Sequence, residues 1–448
     1  MVVEPAKAAP HLGSHRGSMF FDLFARLGSS RFVRDTGSLA TGVVVAQLIG
    51  LAISPVLTRL FTPADFGVYS LVVSVSSVAG VFATLRLESI IPAVKSGTDA
   101  MRLMQLMIGL SCLTGLVALP LIVIFAKPLA QALSLPVAGE ATLYLVPVLL
   151  VALAFFSGIR AWCIRHGRFE AVSRGQIARA VCAALVWLGL GWTGLAQGPG
   201  LALSAGQGAA DLVFSGVLYQ SLTRREWRTL ISPRWGRIRT ALKRNANMVR
   251  TLVSSQAIAA LYSRMPIIVI AAVFGPTQAG FYALAERVVG APAALIANTI
   301  GDVYRQRAAN AHRDGLPFDG LMRQVLVLTL ALSVVPFVVA LALTPKYFGA
   351  VFGQQWQPAA FTMTVMLFGA LVAFNSTPID KAAIIVGASG YILTWHILRL
   401  VIEIAAAICA CMGVIGYETY LIAIVAGRMG LYAWDVFVEH SLAARQAA

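Results

Sequence analysis

Phe61-Thr-Pro-Ala-Asp-Phe-Gly-Val-Tyr-Ser-Leu71 and Phe274-Gly-Pro-Thr-Gln-Ala-Gly-Phe-Tyr-Ala-Leu284 repeat one pattern almost half a chain apart. A Phe, a Pro, a Gly, a Tyr and a Leu match in register. Each stretch lies between two apolar runs and therefore predicts a tight turn, in which Pro fits the first turn of the next helix and Gly permits close backbone approach. The pattern F-x-P-x-x-x-G arises easily by chance, but five matches between long apolar runs favour an internal duplication.

The composition predicts a polytopic helical membrane protein. Of 448 residues, 58% are hydrophobic and 12% charged, whereas a soluble domain carries about 25% charged residues. The apolar runs recur at lengths of about 20 residues, enough to span a bilayer as a helix. The net charge of +16 is explained more simply by basic cytoplasmic loops than by nucleic-acid binding. The five cysteines lack metal-ligand spacing and are interpreted as packing residues.

Twelve spans are predicted after an amphipathic segment at Met19–Arg34, which is typical of an interfacial helix on the cytoplasmic surface. The predicted spans are Ser38–Leu60, Phe66–Leu87, Met101–Ala126, Thr142–Cys163, Ala171–Leu190, Leu201–Leu222, Val249–Val273, Ala279–Val303, Leu321–Leu343, Ala359–Ile379, Tyr391–Met412 and Tyr417–Val438.

The charges of the loops predict how the spans are oriented in the membrane. With the N-terminus inside, most of the 35 basic residues fall in cytoplasmic segments or the adjoining helix ends, and the opposite loops hold only Lys127 and Lys346. This asymmetry predicts an even number of spans and cytoplasmic termini. The most basic connector, from Arg224 to Arg250, separates the sixth span from the seventh.

The chain thus divides into two six-span halves of equal topology. The predicted segments are 1–37 (cytoplasmic and interfacial), 38–222 (first bundle), 223–248 (basic cytoplasmic linker), 249–438 (second bundle) and 439–448 (cytoplasmic tail). Parallel repeats of this kind are related by a pseudo-two-fold axis along the membrane normal, and their cargo lies at the interface of the halves.

The run from Ser54 to Tyr69, continued by Ala83–Glu88, resembles the N-terminal signature of Wzx-type polysaccharide flippases, members of the multidrug/oligosaccharidyl-lipid/polysaccharide (MOP) superfamily. The second half looks similar at Leu261–Pro266, at the turn at Phe274 and at Ala285–Val289, and again from Phe352–Trp356 to the region of Pro378. The resemblance covers nearly the whole chain from Ser38 onward.

This resemblance implies an all-α, MATE-like fold of two six-helix bundles around a central cavity. It implies movement of an undecaprenyl-diphosphate-linked oligosaccharide from the cytoplasmic to the periplasmic leaflet of a bacterial inner membrane, for cell-surface polysaccharides such as O-antigen or exopolysaccharide. The implied partners are this lipid-linked cargo, the bilayer and polysaccharide polymerase or chain-length machinery. No cofactor and no metal are expected.

Ionisable residues inside spans are costly and are therefore functional candidates. Arg264 has no acidic residue in its own span, and a guanidinium binds phosphate oxygens in a fork. Its alternative is a partner on a neighbouring helix, Asp211 or Glu286. The candidate cargo-binding residues are Arg264, Arg287, Arg59, Arg86 and Arg399.

Several of these candidates have plainer interpretations. Arg59 could snorkel to the interface, and Arg86 could follow from the positive-inside bias alone. Arg399 and Glu403, four residues apart on one helix, could neutralise each other.

Polar stripes on several spans predict a hydrated interior. Ser204, Gln207, Asp211 and Ser215 share one helical face, as do Ser70, Ser74, Ser77 and Thr84, and Gln47 begins a third stripe. Helix–helix contacts use similar residues. The candidate residues for coupling or for a polar cavity are Asp211, Gln207, Glu286 and Gln47. Asp211 is the predicted proton-coupling site, because no nucleotide-binding motif is present to drive transport.

Two other functions compete with the flippase. A MATE-type drug or cation antiporter would need a carboxylate deep in the first bundle, where Asp211 is the best placed. A membrane-embedded polymerase or glycosyltransferase would need a larger external loop than the predicted ones, and no motif for bond-breaking chemistry is visible.

Overall fold

The computed structural model describes residues 31–136, 139–196, 198–380 and 382–444, and within these ranges the regular elements are all helices. Most of the predicted interfacial segment, residues 19–30, lies outside the described residues, as do Lys381 and Arg445. The described chain contains twelve helices that are long and apolar enough to cross a membrane, which confirms the predicted number of spans.

We number these twelve helices α1 to α12 in chain order. They are α1 Arg31–Leu60, α2 Pro63–Thr84, α3 Gly97–Ala132, α4 Val146–Arg165, α5 Phe169–Thr193, α6 Leu201–Tyr219, α7 Ala246–Val269 with a π-helical end at Ile270–Phe274, α8 Pro276–Arg313, α9 Asp319–Phe352, α10 Ala359–Ser376, α11 Ser389–Cys411 and α12 Tyr417–Ala444.

Several helices are longer than their apolar runs. Helix α3 has 36 residues and α9 has 34, whereas hydropathy predicts Met101–Ala126 and Leu321–Leu343. The backbone hydrogen bonds of a helix continue into the polar region, where hydropathy no longer marks it. At the start of α3, the Ser96 side chain accepts a hydrogen bond from the backbone N–H of Asp99 and caps the polar first turn.

The two copies of the repeated turn start their helices differently. In the first copy, the Thr62 hydroxyl accepts from the Asp65 N–H at 3.3 Å, and the Asp65 carboxylate accepts from the Thr62 N–H at 2.8 Å. This capping box precedes Pro63, the first residue of α2. In the second copy, Gly275 at φ +89° leads into Pro276 at the start of α8, a backbone angle that Gly adopts without strain.

The repeated turns also contact each other reciprocally. A Cβ atom added to Gly67 would lie 1.8 Å from the Pro276 carbonyl oxygen, and one added to Gly280 would lie 1.8 Å from the Pro63 carbonyl oxygen. The glycine of each half thus meets the proline of the other, as a two-fold relation between the halves predicts. Helices α2 and α8 can pack this closely only because neither glycine has a side chain.

Further contacts close the two halves on this side of the molecule, which we call the turn side. The Trp356 indole donates to the Thr58 carbonyl at 2.8 Å. The Trp356 ring packs edge-on against Phe66 with centroids 5.0 Å apart. Trp356 is fully buried, so these contacts join α1 and α2 to the short 3-10 helix Gln354–Trp356 that follows α9.

The connector between the halves lies on the other side, which we call the basic side. It contains two short helices, Arg224–Leu230 and Trp235–Arg244. Arg168 forms a bidentate contact with Glu226 at 3.0 to 3.2 Å, and the Trp162 indole donates to the same carboxylate at 3.0 Å. Burial alone would raise the pKa of Glu226, but hydrogen bonds from Thr223 and Trp162 and the charge of Arg168 lower it. The connector is thereby fastened to α4 and α5.

Candidate functional site

A central cavity of about 540 Å³ lies between the two halves. The first half contributes residues from α1, α2 and α5, and the second half contributes residues from α7 and α8. The polar residues that line the cavity are Gln47, Tyr69, Ser70, Ser74, Arg264, Glu286 and Arg287. The structure therefore brings together two of the predicted cargo-binding arginines with Glu286 and Gln47.

Arg264 lines this cavity from α7. Its side chain is half-buried, and within the described residues it forms no ion pair or hydrogen bond. Asp211, one of its two predicted alternative partners, is paired elsewhere, and Glu286 shares the cavity without an ion pair to Arg264. A guanidinium at membrane depth is costly unless it is hydrated or paired. Arg264 is therefore available to an anion that enters the cavity.

Arg287 joins the two halves at the wall of the same cavity. It lies in the π-helical turn Glu286–Gly290 of α8, a distortion that is frequent at functional sites. Its Nη2 atom donates to the Gly50 carbonyl of α1 at 3.1 Å, and its guanidinium carbon lies 5.1 Å from the centre of the Trp187 ring. One hydrogen bond leaves most of the guanidinium donors of Arg287 unused, so Arg287 can hold α1 and still offer donors to the cavity.

A lateral cavity of about 260 Å³ adjoins the central one and shares Gln47, Gly50, Trp187 and Arg287 with it. It contains a polar network within the first half. Arg179 Nε donates to Asp211 Oδ1 at 2.6 Å, Gln207 Nε2 donates to the same carboxylate at 3.1 and 3.2 Å, and the Tyr69 hydroxyl donates to Gln207 Oε1 at 3.1 Å. This network extends the polar surface of the central cavity into α5 and α6.

The Arg179 pairing changes the interpretation of Asp211. The carboxylate is 4% exposed and accepts from Arg179 and Gln207, so its charge is compensated where it lies. This geometry favours a structural role over the proton-coupling role predicted from the sequence, which stays a prediction.

Replacing Asp211 with Asn is expected to destabilise the protein by about 1–2 kcal/mol, because Arg179 loses its partner. The cost is below that of a fully buried pair because the Arg179 side chain is 32% exposed. Thermal unfolding of the purified protein measures it. The matched control is Asp302→Asn, which breaks the exposed pair with Arg305 and is expected to change little. An equal loss in both variants would contradict the assignment, and loss of transport without loss of stability would favour coupling.

The other three predicted cargo-binding arginines lie apart from the central cavity. Arg59 is exposed on the turn side and donates to the carbonyls of Pro55 at 2.9 Å and Ala350 at 3.2 Å. Arg86 lines a separate pocket on the basic side. The structure does not bring Arg59, Arg86 or Arg399 together with Arg264.

Arg399 lies in the second half within a cluster of aromatic rings. Its guanidinium carbon is 4.4 Å from the Tyr262 ring centre, 5.1 Å from Tyr432 and 5.6 Å from Trp395, and Nη2 donates to the Tyr432 hydroxyl at 2.9 Å. The sequence-based alternative, a pair with Glu403 on the same helix, is wrong.

Glu403 pairs instead with Arg428 of α12, at 2.6 Å to Nη2 and 2.7 Å to Nε. Glu403 is 1% exposed, so its orientation is set by packing between α11 and α12 rather than by spacing along α11.

Sequence reasoning missed Arg179, Arg160 and Trp187 as parts of the cavities, because the two arginines were assigned only to the basic loop charge. A signal was present. Gln176, Arg179, Ala183 and Trp187 recur at three- and four-residue intervals, and all four line the lateral cavity. The same helical spacing that marks the polar stripes of α1, α2 and α6 therefore marks this face of α5.

Comparisons with known proteins support the architecture. Residues 56–361 match the family model described as "Polysaccharide biosynthesis protein". A comparison with curated proteins finds no match. Among solved structures, "Lipid II flippase MurJ, inward closed conformation" is similar with a TM-score of 0.70 at 10% identity, over 89% of this chain and 87% of that one. An inward-facing multidrug resistance MATE family transporter of the MOP superfamily is similar with a TM-score of 0.50 at 15% identity, over 91% and 94%.

Proposed function

Since the chain belongs to the polysaccharide biosynthesis protein family and has the fold of MOP-superfamily transporters, we propose that it moves an undecaprenyl-diphosphate-linked oligosaccharide across a bacterial inner membrane. The basic side faces the cytoplasm in this proposal, and the cargo is released on the turn side. The product serves cell-surface polysaccharide synthesis, with a polysaccharide polymerase as the next partner.

The observation that carries this proposal is the pair of guanidiniums in the central cavity. Arg264 and Arg287 approach it from α7 and α8, beside a wall of hydroxyl and amide side chains that includes Ser70, Ser74 and Gln47. Guanidinium groups suit the oxygens of a diphosphate, and hydroxyl and amide groups suit those of a sugar. Cargo of this kind needs both surfaces next to each other.

The contacts between the halves fit alternating access. The turn side is closed by the Gly67–Pro276 and Gly280–Pro63 approaches and by the hydrogen bond between Trp356 and Thr58. On the basic side, in the part of the chain that the structure describes, Arg86 of the first half donates to Gln256 of the second at 3.1 Å. With the turn side closed, cargo would enter the cavity from the cytoplasm once the Arg86–Gln256 contact on the basic side has broken.

The deciding experiment is deletion of the gene. We expect lipid-linked repeat units to accumulate in the cytoplasmic leaflet, where added glycosidases reach them in inside-out but not in right-side-out vesicles. A plasmid copy should restore their appearance in the outer leaflet. Unchanged distribution of the repeat units after deletion would contradict the proposal.

The cation antiporter is disfavoured by the same geometry. Its carboxylate in the first bundle would be Asp211, and that side chain is already paired with Arg179. Increased sensitivity to cationic drugs after deletion, with normal polysaccharide, is the result that would favour the antiporter instead.

A further inference from the structure

A third cavity, which we call the basic-side pocket, lies within the first half where α2 ends. Its volume is about 300 Å³, and α2, α4 and the short helix Leu87–Ile90 contribute its walls. Its charged lining residues are Arg86, Glu88 and Arg160. Ser77, Thr84, Ser89 and Ser157 add hydroxyl groups to the lining.

The two arginines of this pocket have unused donors. The Nε atoms of Arg86 and Arg160 are buried and have no hydrogen-bond partner. Arg86 also contacts Glu88 at 3.2 Å, and within the described residues nothing forms an ion pair or hydrogen bond with Arg160. Two guanidiniums and one carboxylate leave the pocket with an excess positive charge. A buried donor without a partner is costly, and an anion would satisfy both arginines.

Backbone strain at Leu85 and Arg86 directs the Arg86 side chain into the pocket. Leu85 and Arg86 adopt φ angles of +47° and +49°, two consecutive non-glycine residues in the left-handed region. Such residues cost about 1–3 kcal/mol each and persist where the surrounding structure holds them, most often at functional sites. Here the break separates α2 from the helix Leu87–Ile90 and places Arg86 at the pocket opposite Arg160.

The hydroxyl stripe of α2 contributes residues to both the basic-side pocket and the central cavity. Ser70 and Ser74 line the central cavity, whereas Ser77 and Thr84 line the pocket. Ser77 follows Ser74 by three residues, a rise of about 4.5 Å along the helix. The guanidinium carbon of Arg179 lies 4.8 Å from the centre of the Phe156 ring, and Phe156 is itself a wall of the pocket. Basic and hydroxyl side chains therefore line both cavities, and α2 contributes hydroxyl groups to each of them.

We infer that the basic-side pocket is a second phosphate-binding site, in which Arg86 and Arg160 hold the diphosphate of the cargo before it reaches the central cavity. This inference rests on the proposed function for the identity of the cargo. Glu88 orients Arg86, and its second oxygen, buried without a partner, accepts a hydroxyl of the attached sugar. The link from Arg86 to Gln256 of the second half is then the contact that arriving cargo replaces, and its loss frees the halves to separate on the basic side.

The test uses the full-length protein in phosphatidylcholine nanodiscs, with inorganic diphosphate as the probe. Hydrogen exchange of the backbone amides of residues 85–95 reports on the pocket locally. We expect diphosphate to protect these amides, and Arg160→Gln to weaken the apparent affinity about tenfold or more, since it removes a charged hydrogen-bond donor. Arg160→Lys should recover part of the affinity, because it restores the charge but not the fork.

Two controls distinguish binding in the basic-side pocket from a general effect of charge and from binding in the central cavity. Arg174→Gln removes the same charge from an exposed arginine of α5 whose side chain is 69% exposed, and it should leave the protection unchanged. Arg264→Gln tests the central cavity and should also leave it unchanged, so this inference and the proposed function can fail independently. Equal affinity in the wild type and Arg160→Gln would overturn the inference.

A phospholipid headgroup offers the same phosphate chemistry as the cargo. Nanodiscs that contain one third phosphatidylglycerol distinguish the two sources. Protection by diphosphate that is unaffected by phosphatidylglycerol supports the cargo assignment, whereas displacement of diphosphate by phosphatidylglycerol would overturn it and assign the pocket to a membrane lipid.

Discussion

Replacing Arg264 with Gln is expected to reduce polysaccharide export at least tenfold while leaving the amount of protein in the membrane unchanged. The half-buried Arg264 side chain has no described partner, so its loss breaks no internal contact and its effect falls on the cargo. A hydrogen bond to a charged group contributes about 1.5–3 kcal/mol, and a bidentate pair with phosphate uses two. Arg264→Lys should restore export only partly, because the ammonium keeps the charge and loses the fork.

Export is measured as surface polysaccharide per cell, normalised to protein detected in the membrane fraction. Arg174→Gln, a charge loss at the exposed surface of α5, is the matched control and should export normally. Arg287→Gln should combine a similar loss with weaker association of the halves, because Arg287 also donates to the Gly50 carbonyl. Normal export by Arg264→Gln would remove this residue from the mechanism.

Replacing Gly67 with Ala is expected to stop the turn side from closing. The new Cβ would lie 1.8 Å from the Pro276 carbonyl oxygen and 3.0 Å from the Gly280 nitrogen. Both are backbone atoms, so α2 and α8 must move apart. Overpacking of this kind costs about 1–3 kcal/mol, which shifts the equilibrium roughly fivefold to 150-fold toward the form that is open on the turn side. Export should fall because the cavity no longer opens to the cytoplasm.

The measurement is labelling of a cysteine placed at Ser70, on the wall of the central cavity, in a variant without the five native cysteines. A membrane-impermeant thiol reagent added from the turn side should label this cysteine faster in Gly67→Ala than in the parent. Gly280→Ala should behave alike, because its Cβ meets the Pro63 carbonyl in the same way. Gly109→Ala, where nothing lies within 4 Å of the added atom, is the control. Equal labelling rates in all three variants would show that the methyl groups added at Gly67 and Gly280 do not open the turn side, and would contradict the prediction.

The fold could be predicted from the sequence because the features that indicate it are either local, such as apolar length, or repeated, such as the matched turns. Apolar length gave the twelve spans, and the matched Gly67 and Gly280 gave the relation between the halves. Of the five arginines that the sequence predicts to bind cargo, only Arg264 and Arg287 line the central cavity, and their binding role stays a prediction. An arginine at membrane depth is conspicuous against an apolar background, but the sequence does not show which cavity it faces.

The partners of the charged residues were harder to predict. Glu403 pairs with Arg428 rather than with its near neighbour Arg399, and Asp211 pairs with Arg179 from the preceding helix. Such pairs depend on how two neighbouring helices are rotated relative to each other, and the sequence of one helix does not specify the rotation of the next. The bounds of α3 and α9 were missed for a related reason, because hydropathy marks the bilayer rather than the helix.

The reciprocal contact between the repeated turns has a consequence for both halves of the chain. Because each glycine faces the backbone of the opposite copy, a side chain acquired by either copy would push against the other. We therefore expect neither glycine to be replaceable alone without separating the two helices that meet there. This predicts that a chimaera of halves from distant relatives will assemble only if both turns keep their glycine.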